Sequence, residues 1–405
     1  MADGGGLRTT GARTGVPVRS ASRPARLDAL TGLRWWAAFA VFVHHVGQLV
    51  VLPPTLARTL TLGTHGVTFF FVLSGFVLTW SSGRAVPGFA PPDARTFWWR
   101  RVARIYPAHL VALLLALPVF TSLVLAEGSH SGVRPFDVGI VLLSVLLLQG
   151  WSRDASVLFS GNPASWTLSC EAFFYALHPA ADRALARTTR SGALWAAGGV
   201  VGVAVLLRVL VMSGGDGGVT IGALPWPVLR LTEFLLGMAL ARAVALGWRP
   251  RLRVGLVATA VGAVGAWLVT GGTLLAAAGL EGGVAAQAHA RLAGGLQEVM
   301  TVGLAALVVA VAVGELEGRP STLGRPAIVR LGEWSFAFYL VHATVIYLMV
   351  AVLGPHRGFV GVLVGVLALV LSLAAAWALH AAVERPAERR MRRAWDQRRA
   401  VRVAS

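Results

Sequence analysis

The run LRWWAAFAVFVHHVGQLVVL, residues 33–52, is apolar from end to end apart from Arg34, the pair His44-His45 and Gln48. A helix rises about 1.5 Å per residue, so a run of this length spans the roughly 30 Å hydrocarbon core of a bilayer. Ten further apolar runs follow, at 63–81, 105–126, 136–150, 164–181, 192–213, 227–247, 252–271, 292–314, 334–353 and 359–383. Composition agrees with a membrane protein. Of 405 residues 56% are hydrophobic and 13% charged, against roughly 25% charged in soluble proteins. The 47 glycines suit helices that approach one another closely, and there is no collagen-like period or short repeat. The expected fold is an all-α integral membrane protein. A large soluble domain and a fibrous architecture are excluded.

The net charge of +18 comes from 36 basic residues, and every one is arginine. Without lysine there is no Schiff-base chemistry and no ordinary phosphate-binding P-loop. The arginines sit in short connections and tails between apolar runs, which is the positive-inside pattern and not a nucleic-acid surface. One cysteine, Cys170, leaves no intramolecular disulfide and no multi-cysteine metal site, and the ten histidines have no metal-ligand spacing.

Residues 1–26 carry Arg8, Arg13, Arg19, Arg23 and Arg26 with little to bury, and read as a disordered cytoplasmic tail and not a secretory leader. Residues 387–405 read as a second basic cytoplasmic tail, and 27–386 as the membrane domain. With both ends on the cytoplasmic side the number of crossings is even, yet eleven runs are present. Arg95, Arg100, Arg101 and Arg104 place one connection inside. Arg183, Arg187 and Arg190 place a second inside, and the clusters Arg249/Arg251/Arg253 and Arg319/Arg325/Arg330 two more. Threading the chain through these leaves the fifth run, 164–181, returning to its own side. About ten transmembrane helices plus one non-crossing or re-entrant segment are therefore expected. That segment reads Ser165-Trp166-Thr167-Leu168-Ser169-Cys170-Glu171, and polar groups at membrane depth require a protein cavity or water. Residues 164–179 are the expected cavity wall.

Arg34 and His45 are eleven residues apart, about 20° from three full helical turns and about 16.5 Å along the axis. They share a face, with Arg34 at the cytoplasmic rim and His45 deeper, so an anion gripped at the rim could extend its far end to the imidazole. The plainer reading is a snorkelling arginine and a satisfied core histidine. Arg100 and Arg104, at i and i+4, form a fork suited to phosphate oxygens, or alternatively a simple interfacial anchor. Glu171 could orient a histidine, accept a proton, or pair with an arginine. Cys170 reads as a small buried hydrophobe and not a nucleophile. Glu233 and His342 are expected to support the site from behind, as are Ser74, Trp166 and Ser169.

These residues fall in an ordered set of motifs that resembles acyltransferase family 3, the membrane O-acyltransferases of bacterial polysaccharides, peptidoglycan and secondary metabolites. The resemblance rests on Leu27-Asp28-Ala29-Leu30-Thr31-Gly32-Leu33-Arg34 followed by His45, on Gly66-Val67-Thr68-Phe69-Phe70-Phe71-Val72-Leu73-Ser74-Gly75-Phe76, and on Arg100-Arg101-Val102-Ala103-Arg104-Ile105-Tyr106-Pro107. Trp166 to Tyr175, Glu233-Phe234-Leu235-Leu236-Gly237-Met238 and Tyr339-Leu340-Val341-His342 complete it. Two positions depart from the family pattern: Thr68 stands where an aspartate is usual, and Ala172 where a second acid is common. Size and lysine-free composition are similar to actinobacterial members, including those that acylate macrolides.

The resemblance implies transfer of an acetyl or other short acyl group from acyl-CoA to a hydroxyl of a carbohydrate or glycosylated natural product, with acyl-CoA as co-substrate and no permanently bound cofactor. His45 would be the general base or a transient acyl carrier, Glu171 its orienting carboxylate, and Arg34, Arg100 and Arg104 the donor-phosphate ligands. The expected location is the cell membrane. A transporter or flippase for an anionic or lipid-linked compound would use the same ionisable groups as a translocation path, although no inverted repeat is evident.

Overall fold

The computed structural model of the chain describes residues 26–84, 89, 91–120, 137–213 and 224–404. The expected tail at 1–25 and the end of the third apolar run, 121–126, lie outside the described residues. Everything described is helix or connection, and the only β pairing among these residues is an isolated bridge between Val50 and His356.

In chain order the helices are α1 Asp28–Val46, α2 Pro54–Leu60, α3 His65–Ser82, α4 Ala94–Pro118, α5 Val138–Val145, α6 Ala155–Leu158, α7 Trp166–Ala186 and α8 Arg190–Ser213. Then follow α9 Trp226–Leu229, α10 Leu231–Ala245, α11 Val254–Ala277, α12 Val284–Gly294, α13 Leu296–Leu316, α14 Pro326–Leu353, α15 Gly358–Leu379 and α16 Arg385–Ala404. Among the described residues seven helical stretches are long and apolar enough to cross a membrane: 54–82, 94–118, 190–210, 254–277, 296–316, 326–353 and 358–401. The protein is an all-α, multi-pass membrane protein. Helices α1 and α7 fall outside that set because they carry ionisable residues, Arg34 and the histidine pair on α1 and Glu171 and Asp182 on α7, and α10 because it is only 15 residues long.

The periphery is built for lipid. On α15, Phe359, Val362, Leu363, Val366 and Val370 are exposed, as are Val203, Leu206 and Val209 on α8 and Leu256 and Leu274 on α11. In water such a continuous apolar surface would aggregate; against acyl chains it costs nothing. Inside, α3 crosses α10 and α1 crosses α14 with backbones nearly touching. A Cβ added at Gly75 would lie 2.0 Å from the Phe234 carbonyl oxygen, and one at Gly237 equally close to that of Val72. Gly32 and Gly332 interlock α1 with the α14 region in the same way. Packing at this range is what small residues supply where no hydrophobic effect drives helices together.

Irregular backbone falls on the fourth run, while the expected cavity wall at 164–179 supplies Thr167, Leu168, Glu171 and Tyr175 to a chamber in the bundle. Helix α5 is only eight residues long and ends at Val145; Leu147, whose φ of 58° is left-handed, and a 3₁₀ turn at Gln149–Trp151 follow. The run expected to return to its own side forms the continuous 21-residue α7, which is not among the seven stretches above. The irregular backbone between them is held by side chains. Gln149 donates to Ser165 at 3.0 Å and accepts from Ser169 at 3.1 Å, and Asn162 donates to the Leu340 carbonyl at 2.9 Å, all of them buried. Non-helical chain is tolerated at membrane depth only when satisfied by protein in this way.

The stretch read as a C-terminal tail is helical through Ala404 and docks on α4. Trp395 stacks on Trp99 at 5.3 Å, the Trp395 indole donates to Thr96 at 3.1 Å, and the Trp99 indole donates to the Met391 carbonyl at 3.0 Å.

Candidate active site

Helices α1, α3, α4, α7 and α14 enclose a chamber of about 120 Å³. Its polar lining is Arg34, Ser74, Arg101, Arg104, Thr167, Glu171, Tyr175, Ser335 and Tyr339, set among Phe70, Phe71, Leu73, Ile105 and Leu168. Arg34 and Arg104 also line a wider basin of about 650 Å³ with Arg26, His380, Arg385, Arg389 and Arg392, so the two guanidinium groups stand at the threshold between chamber and basin.

Glu171 is held from two sides. Its Oε2 accepts the Tyr175 hydroxyl at 2.9 Å, one helical turn along α7, and its Oε1 accepts the Ser74 hydroxyl from α3 at 3.3 Å. Arg34 and Arg101 are the cations whose field reaches it. Here the carboxylate serves the arginine chamber. It makes no contact with His45.

His45 lies behind the chamber wall. Its Nδ1 is 2.9 Å from the Val41 carbonyl and 3.4 Å from Nε2 of His342, with ring centroids 5.1 Å apart. His342 Nδ1 in turn faces the Tyr339 carbonyl at 2.7 Å. Carbonyl oxygens only accept, so both Nδ1 atoms are assigned the proton, and both Nε2 atoms then keep a lone pair. The His342 lone pair faces His45, which leaves Nε2 of His45 as the free base. Between this pair and the chamber stands Tyr339, whose hydroxyl is 3.2 Å from Thr167 and whose ring is 5.8 Å from His342. Arg34 therefore lines the chamber and His45 does not, and Tyr339 borders both the chamber and the histidine pair.

The arginine fork is rotated from its expected position. Arg101 and Arg104, at i and i+3, face the chamber, whereas Arg100 turns away to Asp396 at 3.8 Å and to a neighbouring basin with Arg84, Asp182 and Arg399. Helix α16 docks on the side of α4 carrying Thr96, Trp99 and Arg100, about 100° around the helix from Arg101. Arg104 is already engaged by carboxylates from the chain's end, Glu388 at 3.0 Å and Glu384 at 3.3 Å.

Of the expected supporting residues, Ser74 reaches Glu171, Ser169 braces Gln149, and His342 pairs with His45. Trp166 packs against Trp226 at 5.5 Å. Glu233 belongs to a separate polar cluster, accepting from Arg230 at 2.5 Å and from Gln297 at 2.7 Å. Sequence reasoning missed Arg101, Tyr175 and Tyr339 as chamber residues. The signals were present: Tyr175 is four residues from Glu171, and Tyr339 three from His342, both helix-neighbour spacings.

The model of the family described as an acyltransferase domain matches residues 27–381 of the chain. The chain is 34% identical to Acyltransferase MdmB of Streptomyces mycarofaciens over 352 residues, which cover 83% of each protein. It is 28% identical to O-acetyltransferase OatA of Staphylococcus aureus (strain NCTC 8325 / PS 47) over 158 residues, 38% of this chain and 24% of that one. No solved structure matches.

Proposed function

The chain belongs to the acyltransferase-domain family, and from that premise we propose that it transfers an acetyl or other short acyl group from acyl-CoA to a hydroxyl of a carbohydrate or glycosylated natural product. The observation that carries the donor assignment is the convergence of Arg34, Arg101 and Arg104 on the mouth of a largely apolar chamber, with further arginines ringing the basin outside. Coenzyme A is a polyanion at its nucleotide end and a slender, nearly neutral arm at the other. Guanidinium forks suit the phosphates, and the chamber suits the arm.

In this reading the thioester advances past Tyr339 to His45. Nε2 of His45 takes the proton of the acceptor hydroxyl as its oxygen attacks the thioester carbonyl; the C–O bond forms, the C–S bond breaks, and the coenzyme thiolate leaves and recovers the proton from the imidazolium. Val41 and His342 hold the ring in the tautomer this needs. Glu171 offsets the charge of the arginine cluster. The arginine-lined basin would face the cytoplasm of the cell membrane, with both chain ends on that side.

The test is transfer of label from acetyl-CoA to a panel of hydroxylated acceptors by purified protein in detergent. His45→Ala is expected to abolish transfer with an unchanged thermal midpoint. An active, well-folded variant would remove His45 from the chemistry. Uptake by sealed vesicles without any acyl transfer in detergent would favour transport.

A further inference from the structure

At the other end of α10 lies a second chamber, of about 310 Å³, between α8, α9, α10 and α13. Its Glu233 is nine residues, about 13.5 Å of helix rise, from Arg242. Arg242 bonds the Ala186 and Thr188 carbonyls at the α7–α8 connection, beside the Arg84–Asp182 pair at 2.6 Å that lines a basin with Arg101. The second chamber thus sits across the bundle from the arginine basins.

The geometry points to a binding site for a sugar ring, the acceptor end of the reaction proposed above, on which this inference rests. Four buried polar atoms without a partner belong to residues lining this chamber: Oε2 of Glu233, Oε2 of Glu298, Nε of Arg208 and Nε of Arg230. Glu233 is 3% exposed. Buried orphans cost free energy unless a ligand satisfies them. Here two accept and two donate, so the matching ligand offers both roles at short spacing, as a ring of hydroxyls does. A phosphate only accepts and would meet two carboxylates; an ammonium only donates and would meet two guanidinium groups.

Trp226 brings an aromatic ring to the chamber wall, where a sugar's C–H side would stack in place of one of the guanidinium groups now over it. Its ring already carries the Arg153 guanidinium at 4.3 Å and Arg230 at 5.5 Å, and Val201 and Leu236 continue the apolar wall. At about 310 Å³ the chamber stands at the lower end of the roughly 300–1,000 Å³ of small-molecule pockets, the end suited to a single sugar ring.

The site also backs onto the donor chamber. The Thr68 hydroxyl on α3 accepts from Gln297 at 2.9 Å, and Phe70, two residues on, lines the donor chamber. Trp166, against Trp226, precedes Thr167 of the same wall.

The single native cysteine is fully buried, so a thiol introduced as Leu229→Cys in the chamber wall can be read alone. In lipid nanodiscs free of glycoside detergent, its labelling by a small maleimide is timed with p-nitrophenyl glucoside, galactoside, mannoside and rhamnoside, and with inorganic phosphate. At least one glycoside is expected to slow labelling threefold or more, phosphate not at all, and the protection should vanish in Trp226→Ala and in the milder Glu298→Gln. No protection by any glycoside, equal protection by phosphate, or protection that survives both substitutions would overturn the assignment. The measurement needs no acyl-CoA. Protection without acyl transfer would therefore sink the enzymatic reading alone, and transfer without protection would sink this site alone.

Discussion

Replacing Gly75 by alanine tests the claim that backbone-to-backbone packing, and not helix propensity, sets the architecture around the site. In isolation the change should stabilise α3, since alanine exceeds glycine by about 1 kcal/mol in a helix interior. In the bundle the new Cβ would lie 2.0 Å from the Phe234 carbonyl oxygen, where ordinary contact begins at 3.4 Å. Helices α3 and α10 must then part by about 1.4 Å. Neither is free to move: the obstacle is backbone, and Gly237 presents the reciprocal close contact with Val72 one turn along. Overpacking of this kind costs about 3 kcal/mol, so the net expectation is a loss of about 2 kcal/mol after the propensity gain. Ser74, next in sequence, would be drawn off Glu171, and a displacement near 1 Å at a positioned group can cost about a hundredfold in rate. The control is Gly202→Ala on α8, where a Cβ meets nothing within 4 Å among the described residues. Thermal midpoints by size exclusion in detergent should fall for Gly75→Ala and hold or rise for Gly202→Ala, and acyl transfer should fall at least tenfold only in the former. Equal midpoints for the two variants would refute the packing argument.

Three other outcomes follow from the site. Arg101→Ala should raise the acyl-CoA KM by about tenfold, the scale of one charge-assisted contact of about 1.4 kcal/mol, while Arg100→Ala changes it less than twofold; the reverse order in steady-state kinetics would return the fork to its other face. Glu388→Gln releases Arg104 and Arg392 from a carboxylate, so the donor KM should fall about twofold to fivefold, the scale of a partly exposed pair, and a raised KM would mark Glu388 as structural. Asp93 caps α4, and the Thr96 amide it accepts, with Arg399 alongside, holds its carboxyl below the usual carboxylate range. A depressed folded value means the cap's contribution is present above about pH 3.9 and lost as pH falls through the lower folded value. Asp93→Ala should therefore lower the midpoint at pH 7, by about 1 kcal/mol of cap energy, and converge with the wild type in acid. A gap independent of pH would assign the cap to something other than the charge.

Legibility from sequence differed between elements for physical reasons. The runs that became α8, α11, α13 and α15 were readable because lipid-facing or fully buried helix needs only sustained apolarity. Arg34, His45 and Glu171 stood out because ionisable groups are costly at membrane depth and conspicuous in apolar sequence. The fourth run defeated the same reasoning. Val138 to Leu148 is apolar throughout but for Gly139 and Ser144, yet the break at Leu147 is stabilised by Gln149 and Asn162, whose partners Ser169 and Leu340 lie in α7 and α14. No local pattern announces such partners.

Membrane residence, an all-helical fold and the motif set were thus determined by the sequence itself, because hydropathy and residue spacing are properties of a chain before it folds. Tertiary structure alone decided which face of α4 looks inward, that Glu171 answers to Ser74 and Tyr175 while His45 answers to His342, and that Tyr339 stands between them. A helix can be rotated about its axis without changing its sequence, and it is the neighbour packed against it, here α16 on the Trp99 face, that settles the angle.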